Sequence, residues 1–228
     1  MKSLAVHIGS QLLELSPYKS AYEKIAEMTR YLRSTGHEIS HLDLGGGLGI
    51  PYSDESLADL NAYNQIISET VGDLDCKLSI EPGRYLVGEA GILITRVIYI
   101  KQGEQKKFVI VDGAMNDLIR PTLYDGFHAI VPVTEKNLSF QKSLCDVVGP
   151  ICESGDYFAK DRMLPEVSQN DLLAITCSGA YGAVMASNYN SRPLIPEVLV
   201  SNDVFSVIRE RQAFEKIIQD EKLAAWLQ

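Results

Sequence analysis

The stretch Leu42-Asp43-Leu44-Gly45-Gly46-Gly47-Leu48-Gly49 decides the fold. Ile39 to Leu44 reads as a strand, and it opens directly into the glycine cluster. A glycine-rich turn has no side chains to hold an anion away from its backbone N–H groups, so it can cradle a phosphate; it can equally be a tight turn. It is not the dinucleotide fingerprint, because the spacing from Gly45 and Gly47 would require glycine or alanine where Ile50 stands. Nor does a Gly-Lys-Ser/Thr sequel follow for a P-loop.

The same pattern extends to both sides. Upstream, Ser3 to Ile8 is a β-type run, and Tyr18, Tyr22, Ile25, Met28 and Leu32 recur at helical steps. Ser16-Pro17 starts that helix, where the missing N–H of proline costs little, and Gly36 ends it. Downstream, a helix is predicted over about Ser56 to Val71, with Leu57, Leu60, Tyr63, Ile66 and Ile67 on its inner face. Lys77 to Ile80 then forms a third strand, followed at once by Glu81-Pro82-Gly83-Arg84. The loops after the three strands begin at His7, Gly45 and Glu81, 38 and 36 residues apart. Such β-α units with right-handed crossovers build a parallel sheet whose carboxyl-end loops are the functional edge.

From Gly91 the texture changes. Ile92 to Ile100 and Phe108 to Val111 flank the polar turn Lys101 to Gln105 and read as a hairpin. Ala129 to Val133, Ser143 to Val148, Leu172 to Cys177 and Glu197 to Val200 are further β-type runs, which predicts a mostly antiparallel β domain over 92–228 after an α/β portion over 1–91. Phe205, Ile208, Phe214, Ile217, Ile218 and Trp226 mark the tail from Val204 to Leu227 as one or two amphipathic helices.

Composition sets the class of ligand. The 228 residues are 46% apolar and 22% charged, with 21 basic against 30 acidic side chains and a formal net charge of −9. That acidity argues against nucleic acid and anionic membrane as partners and points to a small molecule or another protein. The longest apolar stretches, such as Ala129 to Val133, fall far short of the roughly 20 residues of a membrane helix. The apolar run after Met1-Lys2 is cut short by His7 and Gln11, so a cytoplasmic protein is expected. Cys76, Cys145, Cys152 and Cys177 show neither Cys-x-x-Cys pairs nor zinc spacing, and read as free thiols.

Beside the glycine loop, Glu81 and Arg84 put a carboxylate and a guanidinium just past a strand end. They could pair with a protonated ring nitrogen and a ligand carboxylate, or simply form a turn with an internal ion pair. His7 alone would be an ordinary core or surface histidine. Phosphate loop, acid and flat ring together are what a phosphorylated heteroaromatic cofactor needs.

Seven motifs in order then carry a resemblance: His7-Ile8-Gly9-Ser10-Gln11, the glycine stretch, Glu81-Pro82-Gly83-Arg84, Asp112 to Asp117, Arg120-Pro121-Thr122-Leu123-Tyr124, Cys152-Glu153-Ser154-Gly155-Asp156 and Gly179-Ala180-Tyr181-Gly182, with Asn188 to Pro193 closing. This set resembles the diaminopimelate decarboxylase family, pyridoxal-phosphate enzymes with an alanine-racemase-like barrel. The resemblance implies a β/α barrel joined to a β domain, a homodimer with active sites at the subunit interface, and pyridoxal 5′-phosphate as cofactor. His7 would stack on the pyridine ring, Ser10 and the backbone of Gly45, Gly46 and Gly47 would hold the phosphate, and Glu81, in the Pro82-Gly83-Arg84 turn that also faces the cofactor, would keep the ring nitrogen protonated. Arg84, Arg120 and Tyr124 would grip the carboxylate that stays on the substrate, and Tyr181 would touch cofactor and substrate. Cys152 would protonate the carbanion and Glu153 bind the distal ammonium, both in the neighbouring subunit's site. Taken singly, Arg120 could cap a turn, and Tyr124 and Tyr181 could be core aromatics.

The family holds its cofactor through a Schiff base to a lysine in a Tyr-x-x-Lys-Ala-Asn-type strand, a segment that these residues do not contain. Lys19, Lys24, Lys77, Lys101, Lys106, Lys107, Lys136, Lys142 and Lys160 sit on polar faces or in turns. Three β-α units also fall short of the eight, in roughly 250 residues, that close a barrel. The expected fold is therefore the last three or so units of a (β/α)8 barrel followed by the β domain, with decarboxylation of meso-2,6-diaminopimelate as the function and inactivity of the chain alone. The alternatives are a non-catalytic fragment or paralogue with a dimerising or regulatory role and, ranked last, an open α/β phosphosugar- or nucleotide-binding domain.

Overall fold

Leu42 and Leu44 alternate with His41 and Asp43, and that two-residue period places one set against helices and the other on the opposite face. The computed structural model in which this is seen describes residues 2–227, the side chain of Lys136 excepted; Met1 and Gln228, the outer ends of the two expected domains, lie outside the described residues. The chain divides into two units, one holding the residues up to Ile92 together with Cys177–Ala180, the other Leu93–Thr176 and the residues from Tyr181.

In the first unit β1 (Ser3–Ala5), α1 (Ser16–Ser34), β2 (His41–Gly46), α2 (Leu60–Val71), β3 (Lys77–Glu81) and the short α3 (Gly83–Val87) follow in order. The strands are parallel in the order β1-β2-β3, with Leu4, Leu42 and Leu78 in register. Leu42 and Leu44 pack with Tyr18, Tyr22, Ile25 and Tyr63 of the helices in one core. The other face carries Ala5, Asp43 and Ser79 side by side, and His41 Nε2 lies 2.8 Å from Ser79 Oγ. Pro17 stands in the first turn of α1, and the N–H groups of Gly36 and His37 close its end on Arg33 and Leu32.

α2 corrects the expected start at Ser56. Asp59 caps it, its carboxylate accepting from Asn61 N–H at 2.8 Å, and Leu60 is the first helical residue. Glu55 instead takes the N–H groups of Tyr52 and Ser53 at 3.1 and 2.7 Å and holds that segment as a turn. Leu57 and Leu60 are accordingly exposed, not inward.

The second unit holds β4 (Leu93–Gln102), β5 (Lys107–Val111), α4 (Arg120–Tyr124), β6 (Ile130–Pro132), β7 (Lys142–Val148), β8 (Tyr157–Pro165), β9 (Leu172–Ile175), β10 (Glu197–Ser201) and β11 (Val204–Arg209). Six strands form one sheet in the order β6-β9-β4-β5-β7-β8, antiparallel throughout except for β5 against β7. Along β4 the partner changes from β9 to β5, and β6 approaches β8, so the sheet curls toward closure around Val97, Val109, Val147, Phe158, Leu164, Leu173 and Ile175. β8 escapes a pattern reading because Lys160, Asp161 and Arg162 interrupt its apolar residues, Asp161 with positive φ at an irregular register.

The expected helical tail is also corrected. Val204–Arg209 is a strand, paired antiparallel with β10 across the two-residue turn Asn202-Asp203, where Asn202 has φ 50°. β-branched Val204, Val207 and Ile208 suit that pairing better than a helix. Beyond it, among the described residues, only single helical turns form, at Glu215–Ile218 and Ala225–Leu227. Among the described residues no helix is long and apolar enough to cross a membrane.

Candidate functional site

The end of β2 is crowded by backbone on both sides. A Cβ on Gly46 would lie 2.1 Å from the carbonyl oxygen of Glu81, and one on Gly47, whose φ is +89°, would lie 2.2 Å from that of Gly9. Glycine is thus required where three loops converge. Gly45 N–H is taken by Asp43 Oδ1 at 2.9 Å, and Gly46 N–H faces His7 Nδ1 at 3.5 Å. On the helix side Tyr18 Oη donates to Gly46 O at 3.3 Å and Tyr22 Oη to Leu44 O at 3.2 Å. Carbonyls only accept, so the single hydroxyl hydrogen of Tyr22 is committed to Leu44, and Tyr63, 2.8 Å away, must donate to Tyr22.

Around this cradle the structure gathers the strand-end residues that the sequence singled out. His7 and Ser10 are exposed, on the loop after β1. Arg84, at the start of α3, donates to Ser10 Oγ at 3.1 Å and to Tyr52 Oη, its guanidinium 5.6 Å from the Tyr52 ring centre. Glu81 ends β3 in register with Gly46, its side chain exposed. Gly83 has open space where a Cβ would stand, so nothing in the chain itself demands glycine there. One edge therefore offers glycine backbone, a hydroxyl, a guanidinium, an imidazole and a carboxylate. That donor set fits a phosphorylated ring with a basic nitrogen.

In the second unit α4 carries Arg120, buried, and Tyr124, exposed. Thr122 donates to the carbonyl of Gly155, which ties α4 to the turn holding Cys152 and Glu153, both exposed. That turn is held by Asp156, whose carboxylate accepts from Ile151 N–H at 2.6 Å and Met115 N–H at 2.7 Å. Tyr189 Oη donates to Glu153 Oε2 at 3.2 Å, and this carboxylate, with Cys152 nearby, pushes the Tyr189 hydroxyl pKa up. Tyr181 is partly exposed with φ 58°.

Several residues beyond the sequence-derived set belong to this framework. Arg192 bonds Asn116 Oδ1 at 2.9 Å and Asp112 O at 2.6 Å and lies 3.5 Å from Asp117, so two of the sequence motifs serve each other structurally. Burial raises the Asp117 pKa, against the lowering influence of the Ala114 N–H and Arg192. His128, wholly buried, bonds Arg120; its one sequence signal is its place four residues after Tyr124.

Comparison with known proteins gives one consistent relation. Residues 20–179 match the family model described as pyridoxal-dependent decarboxylase, C-terminal sheet domain. The diaminopimelate decarboxylase of Zymomonas mobilis is 46% identical over 229 residues, covering 100% of this chain and 54% of its own length. The crystal structure of diaminopimelate decarboxylase from Helicobacter pylori complexed with L-lysine superposes with a TM-score of 0.90 at 45% identity, covering 96% of this chain and 54% of that one. The enzyme of the same name from M. jannaschii gives 0.92 at 37% identity, covering 98% and 52%. The chain spans about half the length of the curated relatives it matches.

Proposed function

The chain belongs to the pyridoxal-dependent decarboxylases, and from that premise we propose that the protein these residues form part of converts meso-2,6-diaminopimelate to L-lysine and CO2 with pyridoxal 5′-phosphate. The observation that carries the reading is the Gly45–Gly47 cradle, which tolerates no Cβ and stands beside Ser10, Arg84, His7 and Glu81. The shared name of the relatives supplies the substrate.

When bound, the cofactor would delocalise the electron pair left on the substrate carbon as CO2 departs. In this reading the backbone of the Gly45, Gly46 and Gly47 turn, through the Gly47 N–H that is turned away from the helices, and the Ser10 hydroxyl hold the phosphate, His7 lies against the ring face, and the Glu81 carboxylate keeps a proton on the ring nitrogen. Arg84, Arg120 and Tyr124 bind the carboxylate that is retained, Glu153 binds the distal ammonium, Tyr181 orients the substrate, and the Cys152 thiol returns a proton to the carbon that lost CO2. Pairing two guanidiniums with one carboxylate suits a diamino diacid better than a plain diamine.

The first unit would be the closing part of a (β/α)8 barrel and the second its β domain, in a cytoplasmic homodimer that shares active sites. The second reading is a non-catalytic fragment or paralogue, favoured by the lack of a Tyr-x-x-Lys-Ala-Asn-type segment among these 228 residues. Incubating the chain with pyridoxal phosphate and meso-diaminopimelate and assaying L-lysine decides between them, with and without a polypeptide that carries such a lysine segment. Lysine formation only in the complemented mixture is expected. No lysine in either sinks the decarboxylase reading for this sequence.

A further inference from the structure

We propose that His128 is the positioning residue of Arg120, locked in one neutral tautomer so that the guanidinium meets a substrate carboxylate already oriented; this rests on the reading of Arg120 as a carboxylate-binding group. The imidazole is 0% exposed. Its Nδ1 lies 2.8 Å from the carbonyl oxygen of Thr176, and a carbonyl only accepts, so Nδ1 carries the hydrogen. Its Nε2 lies 2.8 Å from Arg120 Nη1, and a guanidinium nitrogen only donates, so Nε2 presents its lone pair. Both ring nitrogens are thereby assigned, and the ring is neutral.

The backbone under the ring is held as well. Arg162 Nη1 donates to the His128 carbonyl at 2.8 Å, and its guanidinium stacks 4.0 Å from the ring centre of the neighbouring Phe127. A second proton on His128 would put a buried cation against the guanidinium of Arg120, an arrangement that the low-dielectric surroundings oppose.

The choice of a neutral partner has a consequence for binding. An acceptor without charge takes one N–H of Arg120 and fixes its rotamer, yet this bond cancels none of the positive charge. A carboxylate in the same place would orient and neutralise together. Arginine presents a rigid planar fork, so fixing one edge aims the rest, and a ligand that meets it has less side-chain freedom to immobilise. The benefit belongs to substrate affinity, and removing it should raise KM more than it lowers kcat.

Two measurements test this on the full chain. In 15N-histidine-labelled protein, the His128 ring is expected to show a protonated Nδ1 and a bare Nε2; a protonated Nε2, alone or with Nδ1, overturns the proposal. Calorimetric titration with L-lysine, which keeps the retained carboxylate, of the full chain assembled with pyridoxal phosphate and the complementing polypeptide then compares the unmodified chain with His128→Leu and His128→Gln. Leucine is expected to weaken binding about tenfold, whereas glutamine, whose amide can accept from Arg120 and donate to Thr176, should stay within about threefold. If the loaded assembly with the unmodified chain fails to bind L-lysine, the carboxylate role of Arg120 falls and the inference falls with it. If it binds and His128→Leu binds equally well, only the inference is overturned. Should the leucine variant fail to fold, the tautomer and the glutamine variant still decide: an unfavourable tautomer or a full tenfold loss with glutamine refutes it.

Discussion

Tyr18 donates its hydroxyl to the carbonyl oxygen of Gly46 at 3.3 Å, from a ring that is 1% exposed. In a trans peptide the C=O of one residue and the N–H of the next point in opposite directions. Holding the Gly46 carbonyl toward α1 therefore turns the Gly47 N–H away from the helices. Tyr22 does the same to the peptide between Leu44 and Gly45, whose N–H reaches Asp43 on the far face. Tyr18→Phe should destabilise the chain by about 1 kcal/mol, the net worth of one buried hydrogen bond. Tyr22→Phe should exceed that, because Tyr63 also loses its acceptor. Urea unfolding with an unchanged slope and a lowered midpoint is the expected result.

The same three rings set an alkaline limit. Burial, and secondarily the nearby Tyr63, pushes the Tyr18 pKa from 10.0 to about 12, and burial raises Tyr22 and Tyr63 as well. Unfolded tyrosines release their protons first. The stability Tyr18 contributes is thus whole below pH 10 and is lost as the pH rises through about 12, while Tyr22 and Tyr63, raised in the same direction, lose theirs above pH 10. Urea midpoints should fall across that window, and fall less in the Tyr18→Phe variant. A flat profile would contradict the burial of the hydroxyls.

Gly46→Ala separates crowding from turn formation. Its Cβ would meet the Glu81 carbonyl at 2.1 Å, which is backbone in the adjoining strand and has little room to yield. A loss of about 2–3 kcal/mol is expected from denaturant unfolding. Gly83→Ala, with open space for its Cβ in α3, should be neutral or stabilising by up to about 1 kcal/mol. Any harm from that second substitution would show only with a bound ligand.

Asp156 is where the turn of Cys152 and Glu153 is fastened. Both carboxylate oxygens accept backbone N–H groups, from Met115 and from Ile151. Asp156→Asn replaces one acceptor with a donor that would face an N–H. A loss of about 1–3 kcal/mol in thermal or urea unfolding is expected. The freed turn should also change the rate at which Cys152 reacts with a disulfide reagent, and an unchanged rate would count against this anchoring.

Periodicity made the parallel sheet legible, because each strand ends in residues that interrupt it: His7, Gly45 and Glu81. It failed where short-range chemistry overrides pattern. Asp59 stops α2 from reaching back to Ser56, and Asn202-Asp203 turns an apolar tail segment into a strand although its residues also fit a helical stripe. The candidate site was legible as residue types but not as partnerships. Arg84 and Ser10 are 74 positions apart, and His128 and Thr176 48, so only folding brings those donors to their acceptors. No local signal marks Tyr189 as the partner of Glu153, 36 positions away.

That last pair yields the sharpest functional expectation. The Tyr189 hydroxyl bonds one Glu153 oxygen while Gly155 N–H bonds the other at 3.2 Å, so the carboxylate is held at both ends beside Cys152. In the active assembly, Cys152→Ala and Glu153→Ala should each depress turnover strongly, by about 10²-fold or more for the proton donor. Tyr189→Phe leaves the carboxylate in place but loosens it, so KM should rise a few-fold with kcat little changed. Cys76 lies far from this chemistry in role, its thiol contacting Arg33 and the Ile39 carbonyl within the first unit, and Cys76→Ala should leave kcat/KM nearly intact. Steady-state kinetics on the four variants checks the assignment. Equal losses for Cys76→Ala and Cys152→Ala would remove the reason for giving the proton to Cys152.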